Sequence, residues 1–98
     1  MNFEWDENKR KTNLRKHGID FADAPEIFNG PMLTQWDARA DYGEDRWVGV
    51  GLMRNRVVVV VFTERDAGET IRIISLRKAM IYERKHFERT IKNRLGAA

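Results

Sequence analysis

No cysteine occurs among the 98 residues, which excludes a disulfide framework and any thiolate-bound metal. Histidine is confined to His17 and His86, so a zinc site would have to be built largely from carboxylates. No apolar run approaches the roughly 20 residues that a membrane-crossing helix needs. The opening Met1-Asn2-Phe3-Glu4-Trp5-Asp6 lacks the basic-then-apolar order of a signal peptide. Repeats, low-complexity stretches and linkers are also missing. These absences predict a single cytoplasmic domain over residues 1–95 with no metal, no cofactor and no membrane attachment, followed by a frayed tail at 96–98.

What is present centres on Val57 to Met80. Val57 to Val61 and Phe62 make an unbroken β-rich run, Arg65 to Glu69 supplies turn chemistry, and Thr70 to Ser75 is a second β-rich run. The valines do not alternate with polar residues, so both faces of that strand should be covered. The chain then changes period, and a last helix is expected to start near Ser75 or Leu76. Leu76, Met80, Phe87, Ile91 and Leu95 form its apolar stripe. Arg72, Arg77, Lys78, Arg84, Lys85, Arg89, Lys92 and Arg94 are opposed only by Glu83 and Glu88 over the same stretch. The carboxy-terminal part is therefore basic, which fits a polyanion or an acidic partner; a solvated helix face is the plainer explanation.

Upstream, Phe3 and Trp5 alternate with polar neighbours as a short strand. Asp6 caps a helix that reaches His17 and stops at Gly18, with Arg15, Lys16 and His17 in its last turn. Asp20 caps a second helix carrying Phe21, Ala24, Ile27 and Phe28; Pro25 fits its first turn better if the cap is Asp23. Met32 to Trp36 reads as a short strand and Asp37 to Asp45 as a loop. From Arg46 to Leu52 the residues alternate, with Gly49 and Gly51 leaving room for a helix. Arg54-Asn55-Arg56 turns the chain into the valine strand. The predicted class is α+β: a twisted antiparallel sheet with helices on one side.

Several segments resemble the BrnT toxin family. They are Phe3 to Asp6, Asn13 to Phe21, Gly43-Glu44 with Arg46, Val61 to Arg65, Ile71 to Ala79, and Tyr82-Glu83-Arg84. The resemblance implies a RelE-like fold and a ribonuclease that inhibits translation. It also implies a BrnA-like antitoxin that neutralises the toxin, with operator DNA bound only through the antitoxin complex.

Metal-free RNA cleavage uses the neighbouring 2′-OH as nucleophile. It needs a proton acceptor, cations for the charged phosphorus centre and an acid for the leaving oxygen. Arginine suits the middle role because its planar fork stays charged and binds phosphate oxygens in pairs. Arg72 and Arg77 are the leading candidates, with Lys16, Glu64 and His17 as the other catalytic candidates. Arg65, Lys78, Arg46 and Tyr82 are candidates for RNA contact. Each has a structural alternative: Arg72 paired with Glu64 or Glu69, Glu64 as an ion-pair partner, His17 as a helix-end residue, Tyr82 as a packing residue, and the remaining cations as solvated side chains. Trp5, Trp36 and Trp47 are expected in the core, with base stacking as the alternative. A non-catalytic module that holds nucleic acid or an acidic peptide in a basic groove is the competing function.

Overall fold

A computed structural model describes residues 1–39 and 41–96. Strands β1 (Asn2–Trp5), β2 (Met32–Trp36), β3 (Trp47–Met53), β4 (Arg56–Arg65) and β5 (Thr70–Lys78) form one sheet in the order β1-β5-β4-β3-β2. The valine strand β4 is central, and Val57 to Phe62 are all buried. From β2 to β5 the strands are antiparallel; β1 joins β5 in parallel, so the sheet is mixed. The partner of β1 lies far along the chain, and no turn residue announces that pairing.

Tight turns hold the meander. Arg54 and Asn55 both take positive φ, the conformation of a two-residue hairpin turn. Asp66, Ala67 and Gly68 do likewise between β4 and β5. Helix α1 (Glu7–His17) begins at Asp6, whose carboxylate accepts the Lys9 N–H, and ends at Gly18 with φ 70°. Asp20 caps a 3-10 turn at Phe21–Asp23, and the short α2 (Pro25–Phe28) follows with Pro25 in its first turn. The second helix is thus broken at Ala24, which serves as its cap in place of Asp23.

The two sheet faces are covered differently. Val58, Val60, Phe62, Ile71, Ile73 and Leu76 pack against Ile19, Phe21, Ala24 and Ile27. A side chain at Gly51 would meet Ile27 Cγ2 at 2.7 Å, so this glycine lets α2 sit close. Helix α3 (Ile81–Gly96) lies across the opposite face, over Val48, Val50, Leu52 and Val57. Two covered faces are what an all-apolar central strand demands.

Helix α3 begins later than expected. Leu76 pairs with Val60 and is fully buried in β5 rather than in a helix. Its N–H and C=O are both bound by the buried side-chain amide of Asn13, at 3.2 and 2.7 Å. Asn13 thereby continues the ladder where β1 has ended. Met80 opens α3, its N–H held by Glu83 at 2.8 Å. The expected apolar stripe reduces to Phe87, which is buried, and Ile91, which is half-buried; Met80 and Leu95 are exposed. Of the tail expected to fray at 96–98, Gly96 is the last residue of α3, and Ala97 and Ala98 lie outside the described residues.

Candidate functional site: an arginine-lined sheet face

Arg72 and Arg77 are five positions apart, and strict alternation would send them to opposite faces. A β-bulge prevents this. Val61 pairs with Ser75 and Phe62 with Ile73, so Ile74 is the extra residue. Arg72 opposite Thr63 and Arg77 opposite Val59 therefore share one face. Arg65, two residues beyond Thr63, and Arg46, two before Val48, lie on that face too. Glu64 pairs with Ile71, so alternation turns it from the arginine side, and Lys78, at the end of β5, borders instead the cleft beside Arg56 and Val57.

These guanidiniums share a face but not one anion pocket. The positions opposite Arg72 and Arg77 are four residues apart on β4, about 13 Å at ~3.3 Å per residue. Each arginine also lies against a carboxylate, with Arg46 and Arg65 sharing one. Arg72 bonds Glu4 at 2.5 Å, rather than Glu64 or Glu69. Arg77 makes a paired contact with Glu83 at 2.8 and 2.9 Å, tying β5 to the first turn of α3. It is a strand residue, not the helix-start cation expected. The Glu83 bond raises the Arg77 pKa, burial and the nearby Arg39 charge act against it, and the same pair holds Glu83 below its usual range. Arg65 reaches Glu44 at 3.4 Å, and Arg46 approaches the same carboxylate at 3.9 Å.

The loop between β2 and β3 adds residues that the sequence did not single out. Arg46 lies over the Tyr42 ring, 4.0 Å from its centroid, a cation–π contact. Its Nε is buried without a hydrogen-bond partner. Arg39 grips Asp37 through two bonds of 2.7 Å. The Asp37 side chain is 1% exposed and that of Arg39 69%, so a buried carboxylate anchors a guanidinium offered to solvent. Hydrogen bonding from Arg39 lowers the Asp37 pKa. The missed signal is the Asp37-x-Arg39 spacing, which in a loop reads only as polarity. Tyr82 is largely exposed at the start of α3, beside Glu83. Trp5 and Trp47 pack against the core, whereas Trp36 is exposed.

Lys16 and His17 lie elsewhere, in a shallow cleft of about 330 Å³ at the β5 edge with Ile74 and Ser75. Ser75 belongs to the arginine face, so this cleft borders it. Chemically, the face offers fixed guanidiniums spaced along a strand, two tyrosine rings, and a lysine and histidine at its margin. It suits an extended polyanion better than a single phosphate.

The model of a family described as the ribonuclease toxin, BrnT, of type II toxin–antitoxin systems matches residues 5–83. No curated protein matches the chain at significance.

Proposed function

Because the chain belongs to the BrnT family of ribonuclease toxins of type II toxin–antitoxin systems, we propose that it is a cytoplasmic, RelE-like toxin that inhibits translation by cutting RNA without a metal ion. Membership implies an RNA substrate and an antitoxin partner, which we take to be BrnA-like and to carry any contact with operator DNA. Among the described residues no helix is long and apolar enough to cross a membrane.

The observation that carries this reading is the bulge at Ile74, which aligns Arg72 and Arg77 with Arg46 and Arg65 along one sheet face. An RNA strand laid on that face would exchange the carboxylates of Glu4, Glu83 and Glu44 for phosphate oxygens, with Tyr42 and Tyr82 positioned to stack bases. In the cut, the 2′-oxygen bonds to phosphorus, the bond to the 5′-oxygen breaks, and a cyclic phosphate and a 5′-hydroxyl result. Arg72 and Arg77 balance the negative charge at phosphorus. Lys16 and His17, at the margin of the face, are the groups we assign to proton transfer. Glu64, turned to the other side, is no longer favoured as the base, and Lys78 no longer as an RNA contact.

Induction of the chain alone should arrest growth and generate new RNA 5′ ends, and Arg72→Ala should relieve both. Cleavage by purified protein should survive chelation of divalent ions. The full pairing of the arginines with carboxylates favours a second reading, a module that holds RNA without cutting it. Harmless expression together with salt-dependent retention of intact RNA would establish that reading instead.

A further inference from the structure

Helix α3 divides the sheet face it crosses. One flank, with Tyr82 and Glu83, looks toward the arginines. The other flank and the β3–β4 turn enclose a cleft of about 840 Å³ whose chemistry is different. Its floor is aliphatic, from Leu52, Val57 and Ile91. Its rim carries Arg56, Lys78, Arg84 and Lys92 together with Glu88; Arg84 is paired with Glu88 at 3.5 Å, and among the described residues Arg56, Lys78 and Lys92 are held in no ion pair. The contrast is pointed: the arginines of the RNA face each lie against a carboxylate, whereas three of the cleft's four cations do not. Leu52 and Leu95 are also exposed at its border.

From this charge imbalance we infer that the cleft between α3 and the β3–β4 turn is the seat of an amphipathic, acidic segment of the antitoxin. Aliphatic side chains of that segment fill the floor, and its Asp and Glu residues meet the three unpaired cations. An apolar groove with a charged rim is the form in which proteins take up amphipathic segments, and complementary charge speeds and orients such docking. Nucleic acid fits poorly: the floor presents no aromatic ring on which a base could stack, since Phe87 is buried. The inference rests on the reading of this chain as a toxin with an antitoxin, but it does not depend on how RNA is cut. It separates neutralisation from substrate binding by one helix width, so that a partner seated in the cleft can press on α3 and thereby on the Arg77–Glu83 contact at its start.

The test uses the full chain with the antitoxin expressed from the adjoining reading frame as probe. Arg56→Glu combined with Lys92→Glu reverses charge at exposed rim positions. The double variant should melt as the wild type does, still arrest growth and cleave RNA, yet bind the antitoxin at least tenfold more weakly and escape neutralisation. Amide exchange on the wild-type complex gives a readout free of mutation: residues 84–95 and 52–57 should gain protection on binding. A double variant neutralised as well as the wild type overturns the inference. So does one that keeps the antitoxin but loses RNA retention, which would make the cleft a nucleic-acid path. A wild-type chain that leaves RNA intact while antitoxin binding still depends on Arg56 and Lys92 sinks the ribonuclease reading and upholds this one.

Discussion

Asn13 shows what one side chain can hold. It is buried in an otherwise polar helix, and its amide binds the N–H and C=O of Leu76 and the C=O of Ile19. Asn13→Ala would strand those backbone groups at the edge of the core. An unsatisfied buried group costs about 1–3 kcal/mol, so the variant should lose about 2–3 kcal/mol in denaturant unfolding; a loss within about 0.5 kcal/mol, the range of an ordinary surface change, would refute the assigned role. Arg72 and Arg77 differ in the same terms. Arg72 pairs with a strand neighbour at the edge of the sheet, whereas Arg77 also secures α3 through Glu83. Arg72→Ala should therefore abolish RNA cleavage with little change in melting temperature. Arg77→Ala should weaken cleavage and lower the melting temperature together. Beyond opening one of the segments that resemble the family, Asn13 reads in the sequence as another polar position of α1, because its structural role lies in a backbone far along the chain.

At the level of elements, what was readable is what local chemistry dictates. Asp6 and Gly18 bound α1, Arg54-Asn55 closes the β3–β4 hairpin, and the valines of β4 place it at the centre of the sheet. What was not readable depends on partners brought together by folding: the parallel pairing of β1, the extension of β5 to Lys78, and the bulge at Ile74. That bulge decides the candidate site, since it alone turns Arg77 to the side of Arg72. The late start of α3 has an electrostatic consequence. Glu83 caps Met80 and bonds Arg77, and its folded pKa lies below the usual range. The stabilisation is fully present above the unfolded value, about 4.3, and is lost as pH falls through the depressed folded value. Amide protection in the first turn of α3, taken relative to the intrinsic exchange rate at each pH, should thus be constant from about pH 7 to about pH 5 and fall below about pH 4, while Glu83→Gln should remove that dependence. A loss of protection that persists in Glu83→Gln would assign it to another group.

For the whole molecule, a modest net charge of +3 conceals an uneven distribution. The arginine-lined face proposed to hold RNA is nearly neutral as folded, each guanidinium lying against Glu4, Glu44, Glu83 or Asp37. Binding a polyanion there requires carboxylates to be displaced, so affinity should be moderate and selective for strands that reach several arginines at once. Counterion release sets the measurable scale: single-stranded nucleic acid contributes a slope of about −0.7 in log K against log salt for each phosphate neutralised. With Arg46, Arg65, Arg72 and Arg77 engaged, the slope should approach about −3. Each Arg→Ala change should reduce its magnitude by about 0.7, whereas Arg56→Glu with Lys92→Glu should leave it unchanged. Glu4→Gln offers the converse case. It frees Arg72 from its carboxylate without removing a cation, so RNA should bind more tightly at every salt concentration with the same slope. Tighter binding would identify the ion pairs of this face as competitors that RNA must displace, and weaker binding would show that Glu4 holds Arg72 in the orientation that RNA requires.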